Sequence, residues 1–308
     1  MTASSTRPGP APYAPRTTRA HTPAHAPDAT TPCAPSYHRL TASTPILDVH
    51  CAPPRRGGGW LPVADLTADP AAVRELVAHD ARQGLARYGR PLRPDVAAGF
   101  GLHRLVWSVS LLFTVPWFLE RRVPLLAPDD VSLRRGPATA ELTVRPEAFV
   151  CLPDDPAAGS PGARTAPDED ALAAQLRCSL GEFLAPALTA FGLRVRRGPR
   201  VLWAMATDAV VEGLWYASGL LGERERARAE LSALLAPGGP SAEPACAPGA
   251  GPTPAPSPAP FTPGAGFAPT APGRTGASST DRARASCCLV YTAEPGEMCG
   301  GCPRVTRR

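Results

Sequence analysis

Lysine is missing from this chain: all 32 basic side chains are arginine, set against 27 acidic ones for a formal net charge of +5. A pI near 8.8 and the lack of a concentrated basic run fall short of the strongly basic face that nucleic-acid modules present, so no nucleic-acid partner is expected. Aromatic residues are scarce at 6 %, and the 40 prolines crowd into two stretches that cannot pack. The foldable part is therefore nearer one medium-sized domain than two. Residues Met1 to Pro10 lack the apolar core of a signal peptide. The longest apolar run, Leu105 to Leu119, falls short of the roughly 20 residues a bilayer requires and contains Pro116. A buried core helix, no membrane span and a cytoplasmic location follow as expectations. No strand–GxGxxG–helix pattern occurs, which argues against a nicotinamide or flavin site.

Along the chain, residues 1–58 are rich in Pro, Ala and Thr and read as a disordered tail, with Cys33 and Cys51 incidental to it. A mainly helical body of class α+β is expected over residues 59–236. Asp69-Pro70 has the form of an N-cap followed by Pro at the first helical position, and apolar residues recur at helical spacing up to Gly89. A second helix is predicted from about Pro94 to Leu119, kinked or ended near Pro116. Short β-like pieces at 131–135, 140–144 and 148–152 suggest a small antiparallel meander, and 154–167 reads as a polar loop. Helical stripes then run from Leu172 to Phe191 with Pro186 inside, and from Pro199 to Leu221 with Gly222 as the stop. A charged helix follows over 223–235. Residues 237–282 form a Pro-rich linker, and 283–308 a small C-terminal module.

That module reads Cys287-Cys288, ten residues, Cys299-Gly300-Gly301-Cys302-Pro303. Nine cysteines in a reducing cytosol are not a disulfide framework, and clustered thiols point to metal or redox chemistry. Leu289-Val290-Tyr291 looks strand-like, and Glu294-Pro295-Gly296-Glu297 fits a type II turn that would return the second pair towards the first. Gly300 and Gly301 would let backbone N–H groups approach sulfur. Spacing alone leaves three readings open. Four thiolates suit an iron–sulfur cluster, which is favoured. A structural zinc site usually takes cysteines paired two to four residues apart, and adjacent cysteines serve it poorly. A disulfide pair is opposed by the compartment.

Cys-Cys-x10-Cys-x2-Cys at the end of the chain resembles the FhuF-like family of ferric siderophore reductases. Pro186, Trp203 and Asp208 in Leu-Trp-Ala-Met-Ala-Thr-Asp are similar to the helical region that precedes the cluster in that family. The long Pro-rich insert and the N-terminal extension depart from its pattern. The resemblance implies a 2Fe–2S cluster on Cys287, Cys288, Cys299 and Cys302. It also implies siderophore-bound ferric iron as substrate and an external electron donor such as a ferredoxin or a reductase. An iron–sulfur electron carrier or iron-responsive binding protein without chelate reductase activity is the alternative. No side chain is required as acid, base or nucleophile, and none is assigned.

Arg282, Arg284, Arg304, Arg307 and Arg308 bracket the motif, where cations would favour the reduced cluster. Arg194, Arg196, Arg197 and Arg200 form a second basic group at a predicted helix N-terminus and are candidates to receive an anionic siderophore. Glu182 and Asp208 lie among apolar helical residues with no partner identifiable in the sequence. His79 and His103 show no ligand spacing, and Cys151 and Cys178 read as small buried apolar residues.

Overall fold

The computed structural model describes residues 31–235, 266–267, 282–295, 299 and 302–304. The body is built around one helix, α4 (Pro94–Glu120), whose side chains are buried on nearly every face. It passes through Pro116 and ends at Arg121, which takes a left-handed conformation. By length and composition α4 is sufficient to cross a bilayer, but 83 % of its most apolar window is buried inside the protein. Its continuous hydrophobicity is that of a core helix enclosed by others.

Three long helices pack along α4. The short α2 (Asp65–Ala68) leads into α3 (Pro70–Tyr88), where the Asp69 carboxylate accepts a hydrogen bond from the Ala71 amide at 2.7 Å, Pro70 occupies the first turn, and Gly89 caps the end at φ +67°. These are the start and stop signals expected there. α5 (Glu169–Val195) starts under Asp168, which accepts from the Ala171 amide at 2.8 Å, and continues past Pro186. α6 (Pro199–Leu220) follows a short turn, and Gly222 at φ +75° lets the chain enter α7 (Arg224–Leu234).

Cross-contacts set the directions. Asp80 of α3 pairs with Arg104 of α4, while Gly84 faces Leu92, so α3 and α4 are antiparallel. Phe183 of α5 meets Phe113, and Phe191 meets Gly101, so α5 is antiparallel to α4 as well. Gly99, His103 and Trp107 face Met205, Glu212 and Tyr216 in turn, so α6 runs parallel to α4. The α3–α4 and α5–α6 connections therefore lie at the same end of the bundle.

The tail is shorter than its composition implies. Residues 31–58 are part of the fold: α1 (Ala34–Ser43) packs on α4, and β1 (Leu47–Cys51) joins a sheet. Tyr37 is fully buried and donates its hydroxyl to the Leu112 carbonyl at 2.9 Å, and Cys33, Leu40, Ile46, Leu47 and Val49 are buried beside it. Proline and threonine content masked these apolar anchors. The expectation for residues 1–30 lies outside the described residues.

The predicted meander is also corrected. β4 (Val131–Arg135) and β5 (Ala140–Val144) form the expected antiparallel pair, but β5's other edge is taken by β1 in parallel, and β4's by β2 (Trp60–Pro62). The third piece, β6 (Ala148–Cys151), leaves for a second sheet with β3 (Arg122–Leu125) and β7 (Ala163–Thr165). Pro146 lacks an amide proton and holds Arg145 extended, so β5 and β6 do not close a hairpin. β7 lies inside the stretch read as a loop. Gly162 precedes it at φ +79°, and a Cβ there would fall 2.1 Å from the Glu147 carbonyl oxygen, so the turn requires glycine.

Most of the Pro-rich linker lies outside the described residues. Within it, however, β8 (Gly266–Phe267) pairs antiparallel with β9 (Arg282–Ala283).

Candidate metal centre

Asp208 and Glu212 stand one turn apart on α6, which puts both carboxylates on one face. That face receives the C-terminal module. Asp208 is 0 % exposed. Its Oδ1 accepts the Ala285 amide at 2.9 Å, and its Oδ2 accepts the Ser286 amide at 2.9 Å and the Ser286 hydroxyl at 2.6 Å. Arg284 donates through Nη1 to Glu212 Oε2 at 3.0 Å, with its Nε 3.7 Å from Asp208 Oδ2. Glu212's other oxygen lies 3.7 Å from Nε2 of His103 on α4. A second tie comes from the α3–α4 loop, where Arg90 donates to the Ala293 carbonyl, through Nε at 2.8 Å. The residues immediately before the first cysteine pair are thus fixed to the body by a buried carboxylate, although no partner for Asp208 was legible in the sequence.

After the pair the chain does not run on as a strand. Leu289 takes φ +60°, a left-handed conformation uncommon for leucine, and a short helix α8 (Val290–Ala293) follows. The turn brings the Leu289 amide to the Cys287 sulfur and the Val290 amide to the Cys288 sulfur. Amide hydrogen bonds to cluster sulfurs are a main control on potential. Here the amides of residues 289 and 290 approach the Cys287 and Cys288 sulfurs; Gly296 and Glu297 of the predicted turn and the amides of Gly300 and Gly301 lie outside the described residues. Cys302 is buried, and its amide donates to the Cys299 carbonyl at 3.2 Å.

All four module cysteines are free thiols, and Cys288 Sγ lies 3.2 Å from Cys299 Sγ. Two thiolates on one tetrahedral metal with bonds of about 2.3 Å would stand roughly 3.8 Å apart, so this pair is close to ligating separation. The shared proton favours the thiolate on Cys288: the Cys299 contact, then burial, then the Arg284 charge and the Val290 amide set its pKa, and the sum is well below the usual thiol value. Burial pulls against the charge on Arg284, but Glu212, Asp208 and the Cys288 and Cys299 sulfurs outweigh it and hold the guanidinium protonated. Its Nε is buried without a hydrogen-bond partner, a donor left over beside the thiols.

Among the described residues no three His, Cys, Asp or Glu side chains converge to hold one metal ion. The sulfurs thus offer one close pair with two more thiols nearby, not a closed mononuclear cage. That donor set, with the buried Arg284 guanidinium beside it and its Nε not hydrogen-bonded, fits an anionic binuclear cluster. Of the other flanking arginines, Arg304 stacks on Tyr291 and donates to its hydroxyl at 2.8 Å. Arg307 and Arg308 lie outside the described residues. Arg194, Arg196, Arg197 and Arg200 are exposed at the α5–α6 turn. Arg200 stands eight residues before Asp208, about 12 Å along the helix axis. Cys33 and Cys151 are buried in the body.

These features are those of an iron–sulfur redox protein whose four-thiol C-terminal module is held against a helical body. Residues 284–304 match the family model of the FhuF 2Fe-2S C-terminal domain, so the segment is FhuF-like and its cofactor is a 2Fe–2S cluster. The match begins at Arg284, the first residue held by α6. No curated protein and no solved structure matches the chain.

Proposed function

We propose that the protein is a ferric siderophore reductase of the cytoplasm, with Cys287, Cys288, Cys299 and Cys302 as the cluster ligands. The observation that carries this reading is the FhuF-like four-thiol module anchored on Asp208 beside a buried, charged Arg284. When bound, the cluster supplies one electron per turnover. Arg284 keeps a positive charge next to sulfurs that gain negative charge on reduction, which favours the reduced form. The Leu289 and Val290 amides act in the same direction. Asp208 and Glu212 hold Arg284 in place and seat the cysteine pair on the body.

The substrate is a ferric ion held by hard oxygen donors. One added electron gives ferrous ion, which such donors hold less well, so reduction is release. Arg194, Arg196, Arg197 and Arg200 are proposed to receive an anionic chelate, since exposed guanidinium groups pair well with carboxylate and catecholate oxygens. With no nucleotide fingerprint in the sequence, electrons come from another protein. The test is anaerobic mixing of reduced holoprotein with a ferric hydroxamate or catecholate in the presence of a ferrous trap. Rapid reoxidation with about one ferrous ion trapped per electron supports the reductase. Bleaching without ferrous release supports a carrier or iron-responsive protein instead.

A further inference from the structure

Two loops far apart in sequence, α3–α4 and α5–α6, meet at one end of the bundle because α3 and α5 both run antiparallel to α4. The first, with the helix ends beside it, carries Arg87, Arg90 and Arg93, and the second, likewise, Arg194, Arg196, Arg197 and Arg200. All seven are exposed, and the nearest acid in these segments, Asp95, is occupied by Arg93 at 2.7 Å. The cysteine module touches this end, since Arg90 donates to the Ala293 carbonyl, and exposed Arg304 belongs to the module itself.

Helix stability does not explain the pattern. Arg87 and Arg194 lie in the last turns of α3 and α5, where a cation complements the helix dipole. Arg93, Arg197 and Arg200, however, stand at the N-termini of α4 and α6, where a cation opposes it. α6 has no acidic residue in its first turn to compensate. The same end also exposes two large apolar side chains, Leu193 at 88 % and Leu85 at 48 %. Arginines around exposed leucines match the composition of a protein-docking surface: apolar contact points within a charged rim that steers encounter.

We infer that this arginine-rich end, formed by the α3–α4 and α5–α6 loops, is the docking surface for an acidic electron-donor protein that reduces the cluster. The inference rests on the electron-transfer reading above and adds the partner's chemistry and its place of contact. The donor gives one electron, is itself oxidised by one, and leaves. If the chelate then uses the same arginines, donor and chelate take turns at one face, and an anionic chelate competes with the donor.

The test uses full-length holoprotein and two reductants: a reduced acidic plant-type 2Fe–2S ferredoxin as donor probe, and a photogenerated deazaflavin radical as a small neutral one. For wild type, reduction by the ferredoxin is expected to slow at least tenfold between about 20 mM and 500 mM salt, as screening removes the steering. The Arg87→Glu/Arg93→Glu and Arg194→Glu/Arg197→Glu double variants should each slow it at least tenfold at low salt, and the deazaflavin rate reports whether the cluster is intact. Ferredoxin rates within twofold of wild type in both variants, or no dependence on salt, would overturn the inference. So would a loss confined to reoxidation by an anionic ferric chelate, which would reserve the arginines for substrate. Failure of the reductase reading shows separately, as absence of ferrous release from the wild type.

Discussion

Asp208→Asn tests how the cluster module is held. The wild-type carboxylate accepts from two backbone amides and a hydroxyl, at 2.9, 2.9 and 2.6 Å, with no exposure to water. Asparagine keeps the volume but offers one acceptor oxygen. Its amide nitrogen would then face the Ser286 amide, donor against donor, and Arg284 would retain only Glu212. Hydrogen bonds to a charged group contribute about 1.5–3 kcal/mol each. Loss of one, with weakening of the others, amounts to about 3 kcal/mol against docking, or roughly 150-fold in the equilibrium between seated and released module. The body should still fold, since no apolar contact is removed, and far-UV circular dichroism checks this. The assay is anaerobic transfer of cluster iron to a ferrous chelator. If release proceeds from the undocked module, the rate should rise by about two orders of magnitude. Release within threefold of wild type, with an unchanged visible spectrum, would refute the role given to Asp208.

Replacing Arg284 with Gln removes a buried cation that stabilises the reduced cluster. A unit charge 4–8 Å away at an effective dielectric near 20 is worth about 2–4 kcal/mol, or roughly 90–170 mV for one electron. The midpoint potential in spectroelectrochemistry should fall by about that amount, and Arg284→Lys should restore most of it. Deleting residues 1–58 should abolish cooperative unfolding in a thermal melt, because Tyr37, Leu40, Leu47 and Val49 leave the core. At Glu230 burial raises the carboxyl pKa, but Arg121 and Arg226 more than offset it and hold it below the usual value. A depressed folded pKa gives stability that is present above the unfolded value and lost as pH falls through the folded one. The drop in melting temperature from pH 7 to pH 3.5 should therefore be smaller in Glu230→Gln than in wild type.

Local chemistry was the legible part of the fold. Asp69-Pro70 and Gly89, and Pro199 with Gly222, marked helix limits that the structure keeps, because capping depends only on neighbours in sequence. Pairings between distant segments were not legible: β1 joins β5 across about ninety residues, and nothing near Leu47 announces it. Order in residues 31–58 is hidden in the sequence for a related reason, since Tyr37 is anchored by the Leu112 carbonyl, far along the chain. At the site, the four cysteines announced themselves by spacing. Their anchor did not, although two acids one turn apart in the apolar segment Trp203 to Trp215 were a usable signal. The arginine-rich end is the clearest case. Neither loop is conspicuous alone, and only the antiparallel packing on α4 brings them together.

The most direct measurement is iron, sulfide and paramagnetic resonance on anaerobically purified full-length protein. The account predicts about two irons and two sulfides per chain, and after dithionite a half-spin signal of about one spin per chain, lost when Cys288 is replaced by Ser. Colourless protein carrying stoichiometric zinc, with no signal after dithionite, would contradict it.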